Sequence, residues 1–162
     1  MAWGDRDDRA GIFEERSDGP WTWTGNRLLD PADRVLASVS SDVIYFGADR
    51  LLIESDPGPI RFRARATTGD GRVFTMAQAG FTVGVLEADC DGRSYQLRRT
   101  SIWRKEREIV GDNGVVAWIR PLISGRVAMY PGPARDDLPV VDAVFLSWGC
   151  VLVDSPVRHP RV

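Results

Sequence analysis

The segment Leu138-Pro139-Val140-Val141-Asp142-Ala143-Val144-Phe145-Leu146-Ser147-Trp148-Gly149-Cys150-Val151-Leu152-Val153 is the most hydrophobic part of the chain. Wound as a helix it is apolar on every side, not along one stripe, and such a helix has to be enclosed by protein or by lipid. A bilayer span needs roughly 20 apolar residues. The run Val140–Val153 falls short of that and contains Asp142, so protein is the expected surrounding and no transmembrane segment is expected. Asp137 suits a helix cap, Pro139 a first turn and Pro156 a stop. The competing reading is a hairpin, Val140–Leu146 and Cys150–Val153 around Ser147-Trp148-Gly149, because β-branched residues are plentiful and Gly149 costs a helix about 1 kcal/mol.

What precedes this segment reads as strands. From Trp21 to about Tyr130, short β-prone runs alternate with turn residues and no long helical periodicity appears. Ile60, Phe62, Ala64 and Ala66 alternate with Arg61, Arg63 and Arg65, giving one core face and one wet face. Asp70-Gly71, Asp91-Gly92 and Asn113-Gly114 are hairpin signals, because tight turns need positive φ. Strands are expected at 21–24, 35–39, 42–46, 50–54, 60–66, 72–78, 81–87, 94–99, 101–109, 115–120 and 125–130. So many antiparallel strands must close into a barrel or split into a sandwich. The place in an all-strand protein that surrounds a helix completely is the inside of a barrel. The expected fold is therefore mainly β: a closed antiparallel barrel around a central hydrophobic C-terminal helix. Residues 20–155 form the domain, 1–19 an arm able to dock through Trp3, Ile12 and Phe13, and 156–162 a tail.

The Asp-Gly turns, the pair Tyr95-Gln96-Leu97 and Trp103-Arg104-Lys105 leading to Gly111-Asp112-Asn113-Gly114-Val115-Val116-Ala117-Trp118-Ile119, and the terminal Asp142-Ala143-Val144-Phe145-Leu146 together resemble the tubby C-terminal-like superfamily. That group includes the phospholipid scramblases and the LURP-one-related proteins. The resemblance covers about residues 21–155 and rests on element order. It implies a barrel of about a dozen strands around a central helix. In tubby proteins the barrel exterior binds phosphoinositide headgroups through basic residues, whereas many LURP-one-related and bacterial relatives have no established activity. This chain departs from the tubby pattern in having one lysine and no clear headgroup motif.

Of the 21 Lys and Arg residues only Lys105 is a lysine, a bias that fits a GC-rich bacterial coding sequence and carries no mechanism. Charge is uneven: residues 60–107 hold 10 basic against 5 acidic side chains within a chain of net charge −2. Arg61, Arg63 and Arg65, with Arg98, Arg99, Arg104, Lys105 and Arg107, form a candidate surface for anionic lipid headgroups, since the guanidinium fork donates two hydrogen bonds to one phosphate. The bland alternative is a set of wet strand faces paired with Glu87, Glu106 and Glu108. A sequence pI near 5.4 argues against a nucleic-acid partner.

Trp21 and Trp23 share a strand face, either a buried seam or an exposed patch for a partner, a membrane or a homodimer. Trp103, Trp118 and Trp148 are expected in the core. Glu87-Ala88-Asp89-Cys90-Asp91-Gly92 echoes a calcium loop, but Arg98 stands where the closing glutamate is needed, so a turn is expected and no metal. His159 is the single histidine, and neither a phosphate-binding loop nor a dinucleotide motif is present. No enzymatic constellation and no cofactor are expected. Cys90 and Cys150 are too few for a disulfide framework, and the N-terminus lacks a secretory signal pattern, so a cytoplasmic setting is expected. The leading expectation is a non-enzymatic binding module. Its alternatives are a carrier with an empty barrel and segment 138–153 outside, and an assembly protein acting through Trp21 and Trp23.

Overall fold

A computed structural model describes residues 19–56, 61–101 and 103–154; the arm at 1–18, Ile60 and the tail with His159 lie outside them. Twelve strands follow one another: β1 (Trp21–Thr24), β2 (Arg27–Leu29), β3 (Val35–Ser40), β4 (Val43–Phe46), β5 (Asp49–Asp56), β6 (Arg63–Thr68), β7 (Val73–Gln78), β8 (Val85–Cys90), β9 (Arg93–Arg99), β10 (Arg107–Gly111), β11 (Gly114–Pro121) and β12 (Val127–Pro131). A turn of 3₁₀ helix at Arg135–Asp137 leads to α1 (Val140–Asp154). Each strand pairs antiparallel with the next, and β12 returns to β1 through Trp21↔Met129 and Trp23↔Val127. The sheet is thus a closed up-and-down barrel without edges.

The three hairpin signals sit where tight turns are needed. Asp70-Gly71 lies in the link from β6 to β7, Asp91-Gly92 links β8 to β9, and Asn113 ends the two-residue link from β10 to β11, with Gly114 opening β11. Asp91 and Gly92 both take positive φ, 53° and 94°, as a two-residue turn demands. Ser41-Asp42 makes an equivalent turn between β3 and β4 with φ of 50° and 64°.

Barrels of about eight strands are filled by their own side chains, and wider ones need another filler. Here the filler is α1, a cylinder about 10–12 Å across with its side chains. Apart from Val153, every residue from Asp142 to Asp154 is buried. The helix touches opposite walls. Trp148 packs on Trp23 of β1 with ring centroids 4.8 Å apart, and Phe145 meets Phe74 of β7 edge-on at 5.7 Å. Strands β1 and β7 stand six places apart around the barrel, so the helix runs through the lumen. Small inward residues, among them Ala37, Ala64, Ala66, Ala88 and Ala117, leave room for it.

The hairpin alternative for 140–153 is not found. Gly149, unfavourable in a helix on propensity alone, stands where α1 passes tightly against β7. A Cβ there would lie 2.5 Å from both Sδ and Cε of Met76. Asp137 does not cap α1; its carboxylate accepts a 2.9 Å bond from Asn113, and the Pro139 carbonyl accepts the Ala143 N–H at 3.0 Å.

Several strand boundaries differ from expectation. The segment at 27–29 was not expected as a strand. The strand expected at 81–87 lies at Val85–Cys90; Gly80 and Gly84 lengthen the preceding loop, and Cys90 pairs with Arg93 and does not turn. The strand expected at 101–109 begins only at Arg107, because the charged run Arg104-Lys105-Glu106 offers no inward side chain.

Two tryptophans expected in the core are outside it. Trp103 is 88% exposed at a loop tip and Trp118 is 37% exposed. On β11, Ala117 and Ile119 face inward, and alternation then turns Trp118 outward. Trp148 is in the core. Cys90 and Cys150 are free and buried. Burial pushes the Cys150 thiol up to about 12 and raises that of Cys90, where the Asp142 charge adds to the effect.

Candidate interface at the rims and outer wall of the barrel

The lumen carries two charged clusters, one at each end of α1. Near its start, Asp142 accepts Nε and Nη2 of Arg93 at 2.7 and 2.8 Å and the Tyr95 hydroxyl at 2.6 Å. Burial pushes the Asp142 carboxyl up, opposed by the Arg93 and Tyr95 hydrogen bonds, and the same burial raises the Tyr95 hydroxyl. At the other end, Asp154 takes Nε and Nη2 of Arg107 at 2.6 and 3.0 Å and Nη2 of Arg99 at 2.8 Å. Arg107 spends its remaining donors on the carbonyls of Val83, Gly84 and Leu97. Lys105 donates to the Asp154 carbonyl at 3.0 Å, a cation at a helix C-terminus where the dipole favours one.

These contacts redistribute the residues expected to meet phosphate. Arg99 and Arg107 do converge on an anion, but the anion is the chain's own Asp154 carboxylate, and Lys105 meets the backbone carbonyl of the same residue. Arg98 pairs with Glu108 at 2.7 Å, and Arg104 stands 4.0 Å from Glu106. Arg61, Arg63 and Arg65 lie along or beside β6, exposed. Arg63 stands opposite Asp56 and Arg65 opposite Glu54 across the β5 pairing, the arrangement of a wet, charge-matched face. Strands β7 and β8 separate them from β9, so the two arginine groups do not form one continuous face. Trp21 and Trp23 are 8% and 0% exposed, and the Trp23 indole N–H donates to Ser147 Oγ at 2.8 Å. They form a buried seam against α1, not a surface patch.

The outside has its own order. Because neighbouring strands alternate in direction, every second loop lies on the same rim. One rim, where α1 enters, holds residues 30–34, 47–48, 69–72, 91–92, 112–113 and 132–139. Asp33, Asp70, Asp91, Asp112, Asp136 and Asp137 make it acidic against Arg34, Arg72 and Arg135. The far rim, where α1 ends, holds, among the described residues, 25–26, 41–42, 61–62, 79–84, 100–101, 103–106 and 122–126. Its loop charges are Arg61, Arg104, Lys105 and Arg126 against Asp42 and Glu106. The barrel is therefore polarised along its axis, and a basic rim is a surface that attracts anions.

No family model, curated protein or solved structure matches the chain.

Below the far rim, Thr100, Glu106, Trp118, Arg120, Tyr130 and Pro131 line an open groove of about 460 Å³. Arg120 lies 5.3 Å over the Tyr130 ring and 3.2 Å from Glu106, so its charge is already engaged. Among the described residues, no three His, Cys, Asp or Glu side chains group as metal ligands would, and no helix is long and apolar enough to cross a membrane. The polarity of the rims is absent from the sequence reading, although loop parity in a meander carries it. The anchoring roles of Asp142 and Asp154 were also missed.

Proposed function

We propose that the protein is a non-enzymatic binding module that meets anionic phospholipid headgroups with the far rim of its barrel. The observation that carries this reading is the axial separation of charge, with Arg61, Arg104, Lys105 and Arg126 on one rim and the aspartate turns on the other. A dipolar particle near an anionic surface turns its basic end toward it and its acidic end away. The resemblance to tubby-like barrels, whose exteriors bind phosphoinositide headgroups, supports the same ligand class. The filled lumen favours an external ligand over a carried one, and the buried, protonated thiols of Cys90 and Cys150 supply no nucleophile.

Sedimentation with vesicles tests it. At low salt the chain is expected to co-sediment with phosphatidylcholine vesicles containing phosphatidylserine and to stay in solution with pure phosphatidylcholine. Each basic residue near such a surface is worth about 1 kcal/mol, so Arg61→Gln, Arg104→Gln and Arg126→Gln combined are expected to weaken binding on the order of a hundredfold. Equal recovery with both vesicle types rejects the proposal.

A further inference from the structure

Three large apolar side chains stand fully in water at the tips of far-rim loops. Phe81 is 100% exposed, Ile123 108% and Trp103 88%. They occupy the β7–β8, β9–β10 and β11–β12 loops, which the meander places side by side on one rim. The turns at 91–92 and 112–113, which alternate with them on the opposite rim, have two residues each and carry no such side chain. Nothing in the fold needs these three where they are. Each could be polar without loss of any core contact, and large apolar groups held in water are marks of an interaction surface.

Their neighbours say what kind. Arg104 and Lys105 follow Trp103 directly, and Arg126 lies in the same loop as Ile123. Apolar tips ringed by basic side chains match the layering of an anionic bilayer, with headgroup charge outside and hydrocarbon beneath. Tryptophan in particular prefers the boundary between the two. A protein partner would have to present an apolar pocket for each of three separated tips, whereas acyl chains accommodate them in any arrangement.

Resting on the proposed lipid reading, we infer that Phe81, Trp103 and Ile123 insert into the bilayer while Arg61, Arg104, Lys105 and Arg126 hold the headgroups. The barrel axis then stands steeply on the membrane, with the C-terminus of α1 facing it and the aspartate rim pointing into solution. Binding by charge alone vanishes in salt, whereas inserted side chains leave a residual that salt does not remove.

The test compares the full chain with a Phe81→Ser, Trp103→Ser, Ile123→Ser variant on phosphatidylcholine and phosphatidylcholine–phosphatidylserine vesicles, with near-ultraviolet circular dichroism confirming an unchanged fold. The variant is expected to bind anionic vesicles at least about tenfold more weakly than the parent, since each side chain loses apolar burial. Val35→Ser, an exposed apolar position at the opposite rim, is expected to change nothing. Brominated acyl chains should quench emission of the parent more than that of Trp103→Phe. Equal binding by parent and triple variant, or equal quenching with and without Trp103, overturns insertion and leaves the charge reading standing. Equal recovery of the parent on neutral and anionic vesicles overturns both. A parent dimer that the triple variant converts to monomer makes the tips a self-association face and also overturns insertion.

Discussion

Replacing Asp154 with alanine is expected to lower stability by about 3–5 kcal/mol, the usual cost of leaving one member of a buried ion pair alone. The reason is Arg107, which is 0% exposed and holds Asp154 through two bonds of 2.6 and 3.0 Å. Its other partners are backbone carbonyls, which satisfy donors but do not neutralise charge. Arg99 loses a partner at the same time, whereas Lys105, bonded to the Asp154 backbone carbonyl, keeps its own. Urea denaturation followed by circular dichroism measures the loss. A second variant separates lost charge balance from lost packing. Arg107→Met combined with Asp154→Leu removes both charges together, and the double variant is expected to recover much of the stability that Asp154→Ala loses, because a buried pair replaced by apolar groups of similar volume is often neutral. If the single variant unfolds within about 0.5 kcal/mol of the parent, Arg107 is reaching water and the helix end is not held as described.

Trp23→Ala is expected to cost about 3–5 kcal/mol, as large aromatic truncations in packed cores do. Trp23 is 0% exposed, packs against Trp148 with tilted rings 4.8 Å apart and donates to Ser147 at 2.8 Å. It is the wall's counterpart to the helix on the side where β12 returns to β1. Losing it opens a cavity at the closure of the barrel and leaves the Ser147 hydroxyl only its bond to the Val144 carbonyl. Trp148→Ala should be damaging too, and the two substitutions should not add. Residues in direct contact couple by about 0.5–3 kcal/mol in a double-mutant cycle. Denaturant midpoints of the parent, both single variants and the double variant give the coupling, and a value near zero means the rings do not touch.

How much of this was legible depended on sequence distance. The helix was readable because its length and Asp142 excluded a bilayer span within one segment and its all-round apolarity called for enclosure, while the hairpin reading stayed open until the structure closed it. The hairpins at 70–71, 91–92 and 113–114 were readable because positive φ is a local demand with a local residue signature. The three-residue strand β2 was too short to show alternation. The strand slips at 81–87 and 101–109 came from treating β-prone composition as pairing, when glycines and a charge run had already lengthened the loops. Trp103 looked like core because tryptophan usually is, yet its flanking charges placed it at a tip.

The candidate site was less legible, because its logic is not local. Arg99 and Arg107 are committed by a carboxylate 55 and 47 residues further on, and nothing near them in the chain announces it. Asp154 drew no reading of its own, and Asp142 read as a lone polar residue in an apolar run. Both are the helix's attachments to β9, β10 and the loop between them. The rim charges needed only the parity of a meander, but parity becomes usable once every strand, β2 included, has been counted. A single missed strand exchanges the two rims.

The arrangement of α1 between opposite walls is tested most directly by nuclear Overhauser contacts in the folded chain. A lumen helix requires aromatic contacts from Trp148 to Trp23 and from Phe145 to Phe74 in the same molecule, with sequential helical amide contacts from Val140 to Asp154. Contacts from that segment to one wall only, or cross-strand contacts between Val140–Leu146 and Cys150–Val153, contradict it.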